Sequence, residues 1–422
     1  MPAILRTLSS LLLLAVPAAG VLLPAAPVGA VDDPVLVDRA SAAGLAQSQR
    51  SWSNSTVDFN GDGLEEVLNV FHQYTDSWVY RNNGDGTFRQ AFKIPRVNSQ
   101  GGVFDRHDCE WYDVDGNDLP DAYCSGGRNQ SNYVKTAEKD NELWLQLTPG
   151  QFTDRGTQWG VGDPCGRGRM VAFLDVNNDG WKDLFVGNQA GRPVSDPCDT
   201  AGTYLPEGSK VFLNNAGRSL TYSAQWSTFR GNAGVRCAVP LDYNRDGRMD
   251  LLACTFRNNL AQLYRNTGSG FADASAAVPI GKISDAAVGD LDGDGIPDLV
   301  MSDVNGLTYR RGLASGLGPS VRVWTAPSNA DGLAVAMGDI QGDGLTDVYL
   351  VTDSTSSSTN PTDRLFVNHG GFSFVGLTPP AAGGMGDAVT AVDVYGDGRA
   401  QFVVLNGREK RVGPVQLIAA AP

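Results

Sequence analysis

The stretch DLDGDGIPD at residues 290–298 is one of seven copies of a nine-residue pattern. Each copy has Asp at position 1, usually Gly at position 6, and mostly oxygen-bearing side chains at positions 3, 5 and 9. The copies are DFNGDGLEE (58–66), DVDGNDLPD (113–121), DVNNDGWKD (175–183), DYNRDGRMD (242–250), DLDGDGIPD (290–298), DIQGDGLTD (339–347) and DVYGDGRAQ (393–401). Their first residues lie 55, 62, 67, 48, 49 and 54 positions apart, and such periods are typical of propellers and related repeat folds.

Short apolar runs flank each copy of the pattern. Residues 170–174 precede the third copy and residues 183–186 follow it. A third run ends in Asn, as at Asn82 and Asn266, and a weaker fourth run follows in most units. Runs of this length between Gly and Asn turns are typical of β-strands. Four strands in each of seven units predict an all-β fold, a seven-bladed β-propeller.

The two ends of the repeat array complement each other. The last unit has strand-like runs at residues 401–405 and 414–418 after its Asp pattern, and so lacks a fourth strand. Residues 34–38, Pro-Val-Leu-Val-Asp, form an unassigned strand before the first unit. Placing this strand in the last blade would close the ring and remove open sheet edges, which otherwise invite aggregation.

The repeated nonapeptide offers hard oxygen ligands for a cation. Side-chain oxygens at positions 1, 3, 5 and 9, with the carbonyl of position 7, match the six to eight flexible oxygen ligands that Ca²⁺ accepts, and Gly at position 6 permits the tight turn. Six structural calcium sites are therefore predicted. Their ligand residues are Asp58, Asn60, Asp62, Leu64, Glu66; Asp113, Asp115, Asn117, Leu119, Asp121; Asp175, Asn177, Asp179, Trp181, Asp183; Asp242, Asn244, Asp246, Arg248, Asp250; Asp290, Asp292, Asp294, Ile296, Asp298; and Asp339, Gln341, Asp343, Leu345, Asp347.

The alternative is a metal-free hairpin turn rich in Asp and Asn. Repetition argues against it, because three carboxylates in one loop repel each other unless a cation compensates them. Ligand positions hold 21 of the 47 acidic residues, and six divalent ions would change the net charge from -14 to -2. The fifth copy has four carboxylates and should bind best. The seventh, with Tyr395 at position 3 and Gln401 at position 9, should bind weakly.

Six cysteines fit an oxidising compartment. Cys109 and Cys124 flank the second copy, and Cys237 and Cys254 flank the fourth. In both pairs the residue numbers sum to seven more than twice the number of the first Asp, so each pair is directly opposed in the same hairpin register. We predict both disulfides, which leaves Cys165 and Cys198 as a third pair. The two pairs differ by one step along the strand and cannot both be non-hydrogen-bonded pairs unless a bulge intervenes.

The sequence NNGDGTF at residues 82–88 and the seven Asp loops resemble the FG-GAP/VCBS repeats of bacterial exported proteins and the propeller head of integrin α-subunits. The resemblance covers nearly the whole chain after residue 30. It implies that the metal loops brace the blades on one rim and that ligands bind the opposite rim. The fold hosts adhesion proteins, lectin-like binders and some polysaccharide lyases, so it does not choose among these functions.

The N-terminal residues 1–30 have the pattern of a secretory signal peptide. Arg6 precedes a short apolar core at residues 8–16, and Val28, Gly29 and Ala30 provide small residues before a cut after Ala30. Residues 31–422 are then expected to form one secreted, extracellular propeller. The acidic charge makes nucleic acid a poor partner, since phosphates would be repelled, and no later segment reaches the length of a membrane span.

Several basic residues fall near the rim opposite the Asp loops, about 20 Å away at the rise of a strand. Such a cluster in an acidic protein suggests an extracellular ligand, either an anionic glycan or a protein carboxylate. The alternative is that these residues bridge neighbouring blades or line the channel. The candidate ligand-binding residues are Arg106, His107, Arg128, Arg167, Arg169 and Arg236.

The function predicted from the sequence is a calcium-binding adhesion or binding module without catalysis. The sequence contains no HExxH, GxSxG or P-loop motif. The alternative is a polysaccharide lyase or another carbohydrate-active enzyme, with His107 beside Arg106 and a tyrosine, Tyr133 or Tyr204, acting in β-elimination. A purely structural extracellular protein is the third possibility.

Overall fold

Seven antiparallel sheets make up the part of the chain that the computed structural model describes, namely residues 32–71, 75–95, 104–127, 141–163, 166–189, 208–229, 234–255, 260–354, 361–381, 384–408 and 411–422. The predicted signal peptide lies outside these residues, as do Arg128, Cys165 and Cys198. No helix among the described residues is long and apolar enough to cross a membrane.

Each sheet is one blade, and its strands follow one another from the innermost to the outermost. In blades 1 to 4 the strands are β3 Ser51–Val57, β4 Glu66–Phe71, β5 Ser77–Asn82, β6 Phe88–Ile94; β7 Arg106–Tyr112, β8 Asp121–Gly126, β9 Glu142–Thr148, β10 Gln151–Asp154; β11 Gly168–Leu174, β12 Asp183–Asn188, β13 Lys210–Asn214, β14 Leu220–Tyr222; and β15 Val235–Leu241, β16 Asp250–Thr255, β17 Gln262–Asn266, β18 Phe271–Asp273. In blades 5 to 7 they are β19 Asp285–Gly289, β20 Asp298–Asp303, β21 Gly306–Leu313, β22 Gly316–Thr325; β23 Ala330–Gly338, β24 Asp347–Ser354, β25 Arg364–Asn368, β26 Phe374–Leu377; and β27 Ala388–Val392, β28 Gln401–Leu405, β29 Gly413–Ala420, with β1 Leu36–Asp38 outermost.

The ring closes as the sequence predicts. Strand β1 pairs with β29, with Leu36 opposite Ala420 and Asp38 opposite Ile418, and so supplies the fourth strand of blade 7. The short strand β2, Ser48–Gln49, also pairs with β29. The innermost strands contact one another in the order β3, β7, β11, β15, β19, β23, β27 and back to β3. The seven-bladed propeller is therefore confirmed.

One hairpin register recurs in all seven blades. The residue before the first Asp of each copy ends the innermost strand and pairs with position 9, which begins the second strand: Val57 with Glu66, Tyr112 with Asp121, Leu174 with Asp183, Leu241 with Asp250, Gly289 with Asp298, Gly338 with Asp347 and Val392 with Gln401. The nine residues therefore form equivalent connections, which places all seven Asp loops on one rim.

The two disulfides within the described residues follow this register. Cys109–Cys124 and Cys237–Cys254 are bonded, with Cα–Cα separations of 4.1 and 4.8 Å, close to the separation of about 4.5 Å typical of directly opposed, non-hydrogen-bonded residues. A bulge lies at residue 107 in blade 2 and at residue 236 in blade 4. Because Cys237 directly follows its bulge, the regular ladder is interrupted beside that pair.

Asparagine side chains connect neighbouring blades. The amide of Asn266 at the end of β17 donates to the carbonyl of Val176 in the preceding blade at 2.8 Å. Asn82, Asn214 and Asn368 make the same contact with Val394, Val114 and Leu291, and in blade 2 Gln146 makes it with Phe59. Each acceptor is position 2 of the preceding Asp loop, and its side chain is buried. Five blade junctions, including the one that closes the ring, share this hydrogen bond.

We predict that Asn266→Ala lowers the free energy of unfolding by about 1–3 kcal/mol, because it leaves the buried Val176 carbonyl without its partner. Urea denaturation monitored by tryptophan fluorescence measures the change. The control is Asn305→Ala, at an exposed turn position, where the change should be within about 0.5 kcal/mol. An equal effect of both variants would show that the inter-blade hydrogen bond is not the cause.

Position 6 of every loop adopts a left-handed backbone conformation. The φ angle is 79° at Gly295, and the one non-glycine residue, Asp118, has φ of 65°. A Cβ atom added at Gly295 would meet no atom within 4 Å. The strong preference for glycine here therefore comes from the backbone and not from crowding.

We expect Gly295→Ala to destabilise the protein by about 1–2 kcal/mol, the cost of a left-handed L-residue. Gly295→Asn should cost less, since Asn tolerates this region. Thermal denaturation of the two variants at the same calcium concentration compares their stabilities. Equal losses of stability in the two variants would contradict a backbone origin of the glycine preference.

Candidate functional site

The first Asp of each copy organises its loop. In the fifth copy Asp290 accepts hydrogen bonds from the backbone N–H groups of Gly293 and Gly295, both at 2.8 Å. In the same loop Asp294 accepts one from Ile296 at 2.8 Å. The seven loops share the bond from position 6 to position 1 and the bond from position 7 to position 5. The loops are thus preformed by their own carboxylates.

The position 9 acids are buried between two strands. Asp183 accepts from the N–H of Val176 at 2.9 Å with one oxygen and from the N–H of Asn214 at 2.8 Å with the other. Asp121, Asp250, Asp298 and Asp347 make the same pair of contacts. In the seventh copy Gln401 accepts from Val394 at 2.8 Å. This explains how that loop keeps its shape without an acid at position 9.

These acids lie in a strongly negative environment. The pKa of Asp183 is raised to about 7, chiefly by burial and also by the neighbouring Asp179 and Asp175, against the hydrogen bonds that lower it. The pKa values of Glu66, Asp121, Asp250 and Asp347 are also raised to about 7, with burial as the largest cause. A cation close to these carboxylates would offset both the burial and the repulsion.

Two loops bring three carboxylates together. Asp113, Asp115 and Asp121 form one group and Asp290, Asp292 and Asp294 the other, each with ligand oxygens within 4.8 Å of one another. Position 3 carries a further signal, because Asp115 Oδ1 and Gln341 Oε1 are buried without a hydrogen-bond partner. An all-oxygen donor set with unsatisfied oxygens at predicted ligand positions fits Ca²⁺. The ligand assignment itself, including the position 7 carbonyls, stays a prediction.

Arginine side chains contact four of the loops, and these contacts were not predicted from the sequence, where Arg248 was expected only to offer its carbonyl. Arg311 lies 2.6 Å from Asp292 and 2.9 Å from Asp294 in the fifth loop. The pairs Arg81–Asp62, Arg248–Asp246 and Arg399–Asp397 are at 3.1, 2.6 and 2.6 Å. All four arginines are more than a third exposed, so these pairs stabilise the protein only weakly. The arginines do supply some positive charge at these loops, where the position 5 carboxylates have few other partners.

The predicted basic patch does not form a continuous exposed surface. Arg106 is 2% exposed and forms a two-point ion pair with Glu142, with Nη2 to Oε1 at 2.7 Å. A second bond joins its guanidinium to the carbonyl of Pro95 at 2.7 Å. Arg106 therefore bridges strands and blades, as in the alternative stated above, and is not presented to a ligand. Arg128 lies outside the described residues.

His107 lies between Trp52 of blade 1 and Arg169 of blade 3, so side chains from three neighbouring blades meet here. Its ring lies 4.0 Å from the Trp52 ring, and Arg169 contacts both residues. Arg169 also donates from Nε to Gln189 at 2.9 Å, and Arg167 approaches the same amide at 3.5 Å. His107 is 1% exposed, and its pKa is lowered by burial first and by Arg169 second.

This burial bears on the lyase alternative. A general base must reach the proton that it removes, and the described structure does not present His107 to a substrate. Tyr133 and Tyr204 lie outside the described residues. The geometry around His107 thus gives the enzyme alternative no support.

Arg236 faces the central channel at the rim opposite the Asp loops. It lines a cavity of about 200 Å³ together with Trp52, Asp285, Asp387 and Arg408. The pKa of Arg236 is lowered to about 10, chiefly by burial and also by the nearby Arg408. The cavity is not purely basic, since Asp108 and Glu110 also line it.

These channel acids were not among the residues predicted from the sequence. Burial raises the pKa of Asp108 to about 7 and that of Glu110 to about 8. Asp108 and Asp285 each lie five positions before the first Asp of their copy. The register that predicted the disulfides could therefore have placed both on the innermost strands near this rim.

We predict that Arg106→Ala lowers the free energy of unfolding by about 3–5 kcal/mol, because it leaves the buried Glu142 carboxylate unpaired. The double variant Arg106→Met with Glu142→Leu should be more stable than Arg106→Ala, as both charges are removed. Chemical denaturation of the set tests this. Arg89→Ala, at an exposed position of β6, is the control, and a similarly small effect of Arg106→Ala would contradict the structural role.

Comparison with known proteins supports this architecture. The family model of the FG-GAP-like repeat matches residues 58–124, 242–301, 290–350 and 339–404, more than half of the 422 residues. Cartilage acidic protein 1 of Xenopus tropicalis is 27% identical over 177 residues, which is 38% of this chain and 25% of that protein. Integrin alpha-3 of Cricetulus griseus is 29% identical over 105 residues, 23% of this chain and 9% of that protein. The chain thus spans about a quarter or less of these relatives.

Solved structures show a similar fold. An Agrocybe aegerita lectin, described as specifically recognising non-reducing terminal N-acetylglucosamine, has a TM-score of 0.51 at 16% identity and matches 86% of this chain and 93% of its own. BBS1N, in complex with ARL6DN, has a TM-score of 0.50 at 11% identity over 88% of this chain and 93% of its own. At these identities the likeness concerns the fold alone. The matched repeats, the seven blades and the recurring Asp loops together show that the chain belongs to the family of FG-GAP-like repeat proteins, as an integrin-like propeller.

Proposed function

We propose that this chain is a secreted, calcium-binding propeller that acts as a binding module through the rim opposite its Asp loops. The observation that carries the calcium part is the convergence of Asp290, Asp292 and Asp294 within 4.8 Å in a loop whose shape recurs in every blade. The ligand is an extracellular glycan or protein. Neither a nucleic acid nor an inserted membrane segment is part of the proposal.

The loops would hold calcium through the side chains of positions 1, 3, 5 and 9 and the carbonyl of position 7. In the fifth loop these are Asp290, Asp292, Asp294, Asp298 and Ile296. The ion would supply positive charge where the carboxylates already meet. It would thereby stabilise the hairpin between the two innermost strands of the blade, because an ion that binds only the folded state shifts the equilibrium towards it.

The contrast between the two rims supports a binding role for the rim without Asp loops. The residue six positions before the first Asp occupies an equivalent place near this rim in each blade. It is a different type in almost every copy: Trp52, His107, Arg169, Arg236, Ser284, Leu333 and Asp387. Positions 1 and 9 hardly change, which suits a structural role. His107 and Leu333 are buried, whereas the other five are partly exposed. Variation among these five on an otherwise repeated frame suits recognition of a ligand without symmetry.

Export is supported by the cysteines. The two disulfides tie the hairpins of blades 2 and 4, and such bonds persist mainly in oxidising compartments. The proposed signal peptide at residues 1–30 agrees with this location. N-terminal sequencing of the secreted protein, expected to start at Val31, would test the cleavage site.

Removal of calcium should destabilise the propeller. At a free concentration 100 times the Kd, each ion contributes about 2.7 kcal/mol. Differential scanning calorimetry with added EGTA should therefore show a lower Tm, restored by excess calcium. Elemental analysis of the purified protein should find one ion for each of the six copies that end in an acid.

Matched variants make this test specific. Asp294→Asn keeps the hydrogen-bond acceptor for Ile296 but removes a charge from the fifth loop, and should cost one bound ion. Asp397→Asn makes the same change in the seventh loop and should leave the ion count unchanged. A metal-free protein with a Tm indifferent to EGTA would overturn the proposal.

A further inference from the structure

The junction between blade 7 and blade 1 has a feature outside the repeated pattern. Strand β2 pairs with β29, with Ser48 opposite Pro414 and Gln49 opposite Gly413. It is the one strand of the described residues that lies off the four-stranded path of its blade. The backbone carbonyl of Gln47 accepts from Val415 at 2.8 Å. The segment that carries Gln47 and Gln49 is therefore held against blade 7 by its backbone, which leaves the side chains for other contacts.

An open cavity of about 420 Å³ lies at this junction. Phe71, at the end of β4, and Trp78, near the start of β5, place it on the rim opposite the Asp loops. Pockets of about 300–1,000 Å³ accept small ligands. Its lining residues are Gln47, Gln49, Phe71, Thr75, Asp76, Trp78 and Gln90.

The lining combines amides with an aromatic ring and little charge. Three of the residues are glutamines, and each amide offers both donors and an acceptor. Among the described lining residues the one acid is Asp76, which lies 3.3 Å from Lys93 and is partly compensated by it. Trp78 is partly buried, so its ring packs against the junction while part of it borders the cavity. Tryptophan presents an apolar face with low conformational cost.

The amides are held by a buried tyrosine. Gln47 donates to the hydroxyl of Tyr80, which is 1% exposed, and the side chain of Gln90 also bonds to that hydroxyl. Two of the three glutamines are therefore oriented before any ligand arrives, which lowers the entropic cost of binding.

We propose that this cavity is a subsite for a neutral carbohydrate. Paired donors and acceptors suit sugar hydroxyls, an aromatic face suits the apolar face of a pyranose ring, and compensated charge disfavours a uronate or a cation. This inference rests on the proposed binding role and deepens it by naming the ligand class and its position.

The test uses the mature, calcium-loaded protein on an array of neutral oligosaccharides built from glucose, galactose, mannose and N-acetylglucosamine, with uronate oligosaccharides alongside. Titration calorimetry then gives the Kd of the best neutral binder. We expect Trp78→Ala to weaken binding at least about tenfold, the loss of roughly 1.4 kcal/mol. Gln49→Ala should weaken it severalfold. Because Gln49 lies outside the core, the Gln49→Ala variant should fold normally. It therefore tests the subsite even if Trp78→Ala fails to fold.

The matched control is Gln151→Ala, an exposed glutamine on β10, which should bind as the parent does. Binding that is unchanged in both Trp78→Ala and Gln49→Ala would overturn the subsite. So would the absence of any neutral binder, or a uronate preference abolished by Arg236→Ala, which would place the ligand at the channel. Each of these results would overturn the subsite alone. The calcium part of the proposed function is read separately from the ion count, and a uronate or protein ligand would leave the binding role standing.

Discussion

The propeller depends on a buried carboxylate that joins three parts of the chain. In blade 3 the two oxygens of Asp183 accept from the loop N–H of Val176 and from the strand N–H of Asn214. The Asn214 side chain then donates to Val114 in the preceding blade. One acid thus sets the loop and the third strand, and through the asparagine it is coupled to the neighbouring blade. Burying a carboxylate is costly unless hydrogen bonds satisfy it, and this arrangement satisfies both oxygens.

The same network separates structural from recognition surfaces. Carboxylates, glycines and asparagines recur at the Asp-loop rim because every blade has the same hairpin turn to form and the same contact with its neighbour to make. The opposite rim has no such requirement and carries bulges, inserted segments and dissimilar side chains. The glutamine-lined cavity occurs where β2 is added to blade 7, so closure of the ring produces a site that the repeat alone would not contain.

Charge has different roles at the two rims. At the Asp loops, carboxylates outnumber their arginine partners, which are exposed and weakly bound. Near the opposite rim two ion pairs are excluded from solvent: Arg106 with Glu142, and Lys210 with Asp163 at 3.0 Å, with no side chain of either pair more than 3% exposed. Each charge in such a pair requires its partner, because a single buried charge costs far more free energy than the pair. Arg106 and Lys210 therefore act as internal bridges near this rim.

The linear order of residues was enough to predict the number of blades, the hairpin register, two disulfides and the strand that closes the ring. These follow from local periodicity and from the constant index sum of paired residues, both of which can be counted along the chain. The recurring asparagines were visible too, but their partners are 77 to 312 residues away, so only the assembled ring could show that they join blades. Tertiary structure likewise sets the burial and partners of Arg106, of the channel acids and of the Gln47–Tyr80–Gln90 network. Whether a polar side chain meets solvent or a buried partner depends on neighbours that the chain brings together only on folding.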